Sequence, residues 1–170
     1  FEVDQRAIKK FKESIQDERC LLVEKAVGNY DGFSSFYVCS GTNPGLPHYG
    51  DWDQSSSIKK PKTHLQRHGW CLFNETRTVP ITKLDSWIET HGIGLIDLIW
   101  ADVQGAEKEL IEGARGTLNN KTKYFYTEYS DTETYEGALN IQQTQALLPA
   151  FELVGVFENN ILLKNKSVPI

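Results

Sequence analysis

The feature that most constrains the fold is the apolar segment 96–101, which stops at Asp102 and is followed at once by a helix-forming pattern. The segment lacks the alternation of a half-buried strand, so it predicts a strand covered on both faces, as in parallel sheets. Ligands bind outside the carboxyl ends of such strands. Asp102 is therefore a candidate functional residue, although an aspartate at this place can also serve only as a helix cap.

The segment after Asp102 has the pattern of an amphipathic helix. Apolar residues recur at helical spacing, and charged residues fall between them. The apolar positions are Ala106, Leu110, Ile111, Ala114 and Leu118. Together the two segments predict a strand, a turn and a single helix.

The rest of the chain alternates between predicted strands and helices, which indicates an α/β fold with a mixed, doubly wound sheet. Asp4 is expected to cap a first helix with Ile8, Phe11 and Ile15 on its buried side, and residues 1–2 are expected to end a strand. Thr82 is expected to start another helix, with Asp85 completing a capping box. The other expected elements are strands at 20–27, 33–39, 76–81 and 123–128, a hairpin turn at 29–32, a helix at 140–148, and a closing antiparallel hairpin of 151–157 with 161–164.

Residues 40–69 form a long stretch rich in Gly, Pro, Ser and charge, too long for a passive connection. Tyr49 and Trp52 lie in it close to two aspartates, which is unusual for a solvated tether. We expect this segment to be a lid over an acceptor.

The composition predicts one domain, residues 1–170, with a substantial core. The net charge of -5 leaves no basic stripe for nucleic acid, and no apolar run is long enough to span a bilayer. The three cysteines are scattered without the spacing of a zinc site, which predicts a reducing, cytoplasmic location.

Several motifs together resemble the FkbM-type methyltransferase family. The turn at 102–107 matches that family's pattern of an aspartate, an apolar residue, an acid and then Gly-Ala-Glu, with Gln104 in place of the usual acid. Further likeness lies at Phe1-Glu2 and at residues 25–28, 30–32, 79–87 and 126–129. The resemblance covers most of the chain.

This resemblance implies a class I methyltransferase fold: a mostly parallel Rossmann-like sheet with an antiparallel C-terminal hairpin. It also implies S-adenosylmethionine as the cofactor, and transfer of its methyl group to a hydroxyl of a sugar or other small natural product. Mapped onto that fold, the sequence begins at the end of the second strand. The first strand and the glycine-rich donor loop are not found in it, so we expect an N-terminally incomplete domain.

The resemblance also implies roles for individual residues. Glu2 is expected to bind the donor ribose, because a carboxylate accepts two hydrogen bonds from a diol. Ala26 and Val27 are expected to flank the adenine. Asp102 is expected to contact the donor and to orient the acceptor hydroxyl, and Glu128, at the end of the next strand, is expected to join it in catalysis. Each also has a plainer interpretation, as a frayed terminus, core strand residues or a helix cap.

Three residues are candidates for substrate binding: Trp52 from the long loop, Glu107 at the start of the helix, and Tyr129. Glu107 can instead be an acid that complements the helix dipole, and Tyr129 can simply cover the sheet. A histidine of the long loop is a further candidate for the acceptor's base. Two acids at adjacent strand ends also suggest magnesium, but no third carboxylate is placed, and we expect no metal.

Two other functions fit parts of the sequence. A non-catalytic Rossmann-like remnant would explain the missing donor loop. A glycosyltransferase-like enzyme that binds a nucleotide sugar would need a metal-binding Asp-x-Asp after a strand, and Asp51-Trp52-Asp53 has that spacing within a loop.

Overall fold

The computed structural model describes residues 1–169 of the chain. The helices are α1 (Gln5–Ser14), α2 (His64–Arg67), α3 (Leu84–Thr90), α4 (Glu107–Gly113), α5 (Arg115–Lys121) and α6 (Ile141–Leu147), with a 3₁₀ turn at Pro47–Tyr49. The strands are β1 (Ala26–Val27), β2 (Gly32–Ser40), β3 (Leu72–Thr82), β4 (Ile96–Ala101), β5 (Thr122–Glu128), β6 (Phe151–Phe157) and β7 (Asn160–Asn165).

The strands form two sheets, which confirms the expected α/β class with mixed sheets. The first sheet has the order β1-β3-β2, in which β1 is parallel and β2 antiparallel to β3. The second has the order β4-β5-β7-β6. Its strands β4 and β5 are parallel, and β7 runs antiparallel to both of its neighbours, so the closing hairpin is confirmed.

The expected hairpin turn at residues 29–32 is wrong. Strands β1 and β2 do not pair with each other, because β3 lies between them. The expected strand at 20–27 is reduced to the two residues of β1, and residues 1–2 are not in a strand. Residues 1–2 are nevertheless held next to this segment, since the Glu2 amide donates a hydrogen bond to the Val23 carbonyl at 3.0 Å.

The expectation that β4 is covered on both faces is also wrong. Trp100 is 73% exposed and Leu98 is 49% exposed. The other face of the second sheet is buried under α3, α4, α5 and α6, and its core includes Leu84, Ile88, Leu110, Leu118, Phe125, Ile161 and Leu163. Within residues 1–169, β4 pairs only with β5, so its other edge is free.

The single helix expected after Asp102 is divided at Ala114 into α4 and α5. A Cβ on Gly113 would lie 1.8 Å from the carbonyl oxygen of Gly28, so only glycine permits the close approach of these two backbones. The apolar face is confirmed, because all five positions predicted for it are buried.

The expected capping box of α3 is wrong, and its aspartate has another partner. Asp85 accepts hydrogen bonds from the backbone amides of Gly116 at 2.9 Å and Thr117 at 2.7 Å, and so caps α5. The start of α3 is held instead by Asp31, which accepts from the Thr82 hydroxyl and the Lys83 amide. The cap of α1 by Asp4 is confirmed, whereas Ile15 of its expected buried side is exposed.

The β2–β3 connection, residues 41–71, is folded back on the sheets. Ser57 forms a bridge with Tyr37 of β2, and Pro61 forms one with Tyr135. The connection thereby lies over the carboxyl ends of β1 and β4. Among residues 1–169, no helix combines the length and apolarity that crossing a bilayer requires.

Candidate active site

The chain turns sharply after β4 and leaves Asp102 exposed at the strand end. Gln104 has a φ of 50° and Gly105 a φ of 89°, both in the left-handed region that glycine adopts most easily. A Cβ on Gly105 would lie 2.4 Å from the Cβ of Tyr135, so this position requires glycine for space as well. The turn therefore holds the backbone tightly while it presents the Asp102 carboxylate.

A first cleft of about 640 Å³ opens beside this turn. It lies between α1, the carboxyl ends of β1 and β4, and the β2–β3 connection. Six of the residues predicted from the sequence line it: Glu2, Ala26, Val27, Trp52, Asp102 and Glu128. Residues distant in sequence are thus brought into one site.

Glu2 is anchored in the first cleft. Its Oε1 accepts hydrogen bonds from the backbone amides of Val3 and Asp4, each at 2.7 Å. Its Oε2 receives no hydrogen bond from the described residues. One carboxylate oxygen of a fixed side chain therefore remains available to a ligand.

Arg6 joins α1 to the β2–β3 connection through two residues that line the first cleft, Asp4 and Trp52. Its guanidinium bonds to Asp4 and to Asp51, each at 2.7 Å, and donates to the carbonyl oxygen of Trp52 at 3.2 Å. Burial alone would raise the pKa of Asp4, but the hydrogen bonds and the charge of Arg6 hold it below its ordinary value.

Lys10 makes the second tie between these elements, at 2.6 Å from Asp53. Its Nζ also lies 4.7 Å from the centre of the Tyr49 ring. Because Asp51 and Asp53 are both paired with cations, the Asp-x-Asp spacing does not give a pair of free metal ligands. No group of three or more His, Cys, Asp or Glu residues suited to a metal ion occurs within the part of the chain that the structure describes.

Three acids crowd the junction of β4, β5 and α4. Desolvation, together with the charges of Asp102 and Glu107, raises the pKa of Glu128 to about 8. Desolvation also raises the pKa of Glu107 to about 7, against the smaller opposing effect of its hydrogen bond from the Gly105 amide. Glu128 is therefore largely protonated at neutral pH, and becomes a carboxylate just above it.

Gln104 lies between two of these acids. Its amide nitrogen donates to Asp102 at 2.5 Å and lies 3.5 Å from the Glu128 carboxylate. Its backbone carbonyl accepts from the Ser57 hydroxyl at 2.7 Å, which ties the turn to the β2–β3 connection. The sequence showed Gln104 only as a departure from a family pattern and gave no signal of this bridging position.

Two predicted residues lie elsewhere. Glu107 is only 3% exposed and sits behind the turn, and Tyr129 donates its hydroxyl proton to the Glu158 carbonyl at 3.0 Å. Neither lines the first cleft. Both line a small void of about 30 Å³ on the far side of Gly105, which they share with Glu128.

A second cleft, of about 420 Å³, lies beyond Glu128. It is lined by His64, Arg67 and His68 from the segment around α2, and by Tyr129 with the residues that follow β5. His64 and His68 are two of the loop histidines from which the sequence analysis expected a candidate base for the acceptor. The contact of α2 with the β5 end is long-range, so no local pattern indicates it.

Comparisons with known proteins agree with one another. The family model described as methyltransferase FkbM domain matches residues 2–156. The 2-O-methyltransferase NoeI of Sinorhizobium fredii (strain NBRC 101917 / NGR234) is 41% identical over 173 residues, which cover 99% of this chain and 69% of that protein. No solved structure gives a significant match.

Proposed function

Because the chain belongs to the methyltransferase FkbM domain family, we propose that the first cleft binds S-adenosylmethionine and that methyl transfer takes place beside Asp102 and Glu128. The family match and the 41% identity to a 2-O-methyltransferase identify the chain as an O-methyltransferase enzyme. The main observation behind the proposal is that Glu2, Val27 and Asp102 all line one cleft.

The walls of the first cleft suit the parts of this donor. The available Oε2 of Glu2 suits the ribose hydroxyls, since carboxylates accept hydrogen bonds from a diol. Ala26, Val27 and Ile58 provide an apolar surface for a flat base. The exposed carboxylate of Asp102 provides negative charge for a sulfonium.

When bound, S-adenosylmethionine supplies an electrophilic methyl group. The protein's own residues then have to orient the acceptor hydroxyl and receive its proton. Asp102 is assigned the orienting role, because its carboxylate is exposed at the strand end and accepts a hydrogen bond from the Gln104 amide. Glu128 is assigned the role of proton acceptor, because its raised pKa makes its carboxylate a stronger base than an ordinary glutamate.

The acceptor is a small molecule, and we assign to it a hydroxyl of a sugar or other small natural product. Trp52 is proposed to contact it from the first cleft and Tyr129 from the other side of Glu128. Glu107 is proposed to act indirectly, because it lies behind the turn and its charge raises the pKa of Glu128. Family membership favours this enzyme over a non-catalytic remnant and over a glycosyltransferase.

We further propose that the two sheets belong to one Rossmann-like sheet, in which another strand pairs with the free edge of β4. Support comes from that edge and from the exposed face that includes Leu98 and Trp100, since apolar sheet faces are ordinarily covered. The three cysteines, all free thiols, support a cytoplasmic site of action.

Substitution of Asp102 tests the assigned chemistry. Asp102→Asn and Asp102→Ala are expected to abolish methyl transfer, while the affinity for S-adenosylhomocysteine stays nearly unchanged. Asp97→Asn is the matched control, because Asp97 lies on the same strand and pairs with Lys123 on the surface. Unchanged turnover in either Asp102 variant would remove this residue from the mechanism.

A further inference from the structure

The two clefts meet at one pair of side chains. Gln104 and Glu128 line both the first and the second cleft, and no other residue among 1–169 lines both. Methyl transfer is an in-line displacement, so the nucleophile has to approach the methyl carbon opposite the leaving sulfur. Two clefts that reach Glu128 from different sides allow the methyl donor and the acceptor to approach each other from opposite directions, as such a reaction requires.

The second cleft is lined mainly by polar groups. They include hydroxyls, amides and side chains of both charges: Ser55, Arg67, Gln104, Ser130, Asp131 and Asn159. Tyr129 and His68 add aromatic surface. A wall of hydrogen-bond donors and acceptors with a few ring faces suits a ligand that carries many hydroxyls, and suits a flat apolar ring poorly.

His64 is the most informative residue of this cleft. It is 7% exposed, and its Nδ1 has no hydrogen-bond partner among the described residues. Buried polar atoms are almost always paired, and this nitrogen has almost no accessible surface, so a small shift of the ring towards a ligand in the cleft is needed to give it a partner.

The surroundings of His64 fix its ring and its charge. The ring packs against His68, with centres 4.9 Å apart, and against Tyr135, at 5.3 Å. Desolvation, with a smaller effect from the charge of His68, lowers the pKa of His64 to about 4. The imidazole is therefore neutral at physiological pH and has one nitrogen that can accept a hydrogen bond from a hydroxyl.

The charges at the cleft mouth are balanced. Arg67 and Asp131 are both exposed, and neither takes part in an ion pair within residues 1–169. One guanidinium and one carboxylate give no net attraction for an anion or a cation. Both are good partners for vicinal hydroxyls, so the balance favours a neutral ligand.

We propose that the second cleft is the acceptor subsite, and that it holds a neutral polyhydroxylated ring, such as a glycoside, between His64, Arg67 and Glu128. This inference rests on the proposed function. The acceptor oxygen forms its bond to the methyl carbon while the carbon–sulfur bond breaks and leaves its electron pair on sulfur. The hydroxyl proton passes to the Glu128 carboxylate. His64 and Arg67 act as positioning residues for the sugar.

The test uses methyl α-D-mannopyranoside, methyl α-D-galactopyranoside and methyl α-L-rhamnopyranoside as acceptors, with catechol as a flat aromatic comparison. Methyl transfer is measured by product mass for the wild type, His64→Ala and Arg67→Ala. His48→Ala and Arg115→Ala are the matched controls, because both residues are exposed and line neither cleft. S-adenosylhomocysteine binding is titrated for every variant.

The expected result is transfer to at least one glycoside, with the KM for that glycoside raised about tenfold in each cleft variant, as loss of one hydrogen bond predicts. The controls, and all affinities for S-adenosylhomocysteine, should stay within about twofold of the wild type. Arg67 is exposed, so its variant reports on the cleft even if His64→Ala folds poorly.

Two results would overturn the inference while the proposed function stands. One is transfer to catechol but to none of the glycosides. The other is an unchanged glycoside KM in Arg67→Ala and in folded His64→Ala. Failure of the wild type to bind S-adenosylhomocysteine would instead contradict the proposed function itself, and the inference with it.

Discussion

At the scale of single residues, Gln104 shows why this site tolerates so many acids. The charge of Asp102 helps to raise the pKa of Glu128, and Glu107 adds a third carboxyl group behind them. An acid at position 104 would add further repulsion, whereas the Gln104 amide donates a hydrogen bond to Asp102. We interpret the glutamine as the residue that fixes the position of the Asp102 carboxylate, which orients the acceptor.

The raised pKa of Glu128 predicts a pH dependence. Its pKa of about 8 reflects burial first and then the charges of Asp102 and Glu107. A proton acceptor works only when deprotonated, so kcat should rise with pH from about 6, reach half its maximum near the pKa of about 8, and level off roughly one pH unit higher. In Glu128→Gln, kcat should be about 100-fold lower, and this rise should disappear.

The control for that experiment is Glu136→Gln, a change at an exposed glutamate that lines neither cleft. It should keep both the rate and the pH profile of the wild type. A profile that still rises between pH 6 and pH 8 in Glu128→Gln would show that another group receives the proton.

Individual residues differ in how well sequence could predict them. Asp102 was found because it ends an apolar run, which is a local signal. Glu2 and Val27 were found through resemblance. His64 was only one of several loop histidines considered, and Gln104 was given no role, because their positions depend on contacts between segments far apart in sequence: α2 with the end of β5, and Ser57 with the turn.

At the scale of elements, the caps show how tertiary contacts override local patterns. The sequence around Thr82 and Asp85 has the spacing of a capping box, but Asp85 points to the amides of α5. The break between α4 and α5 creates those free amides, and it lies directly after Gly113, whose backbone closely approaches that of Gly28. A cap predicted within one helix therefore joins two helices.

This contact predicts a measurable stability effect. Asp85→Ala should lower the free energy of unfolding by about 1 kcal/mol, the usual cost of losing a helix cap. Urea unfolding followed by circular dichroism measures it. Asp17→Ala is the control, because Asp17 is exposed and pairs only with Arg19 in a surface ion pair. Equal stability of the two variants would contradict the capping role.

The strands were predicted best where their patterns are local. The strands β4, β5, β6 and β7 lie close to their expected positions, and the closing hairpin is correct. The partner of β1 was predicted wrongly, because β1 pairs with residues 55 positions away, beyond the β2–β3 connection. Periodicity indicates a strand, but it does not indicate the strand's neighbours.

At the scale of the whole molecule, the free edge of β4 is the feature that the proposed Rossmann-like sheet has to explain. The β4 amides that face this edge should exchange rapidly with deuterium in the 170-residue chain, because no other strand pairs there within residues 1–169. They should become at least about 100-fold slower in any longer form of the protein in which another strand pairs with this edge. The β5 amides, which are paired on both sides, serve as the internal control. Unchanged exchange at β4 would contradict the additional strand.

The central claim is that the first cleft binds the methyl donor through Glu2, and calorimetric titration with S-adenosylhomocysteine tests it most directly. We predict saturable one-to-one binding by the wild type. The affinity should fall about 100-fold in Glu2→Ala, which loses two charge-assisted hydrogen bonds. It should be unchanged in the control Glu18→Ala, because Glu18 is exposed and lines neither cleft. Binding of equal strength in Glu2→Ala, or no binding by the wild type, would contradict this account of the site.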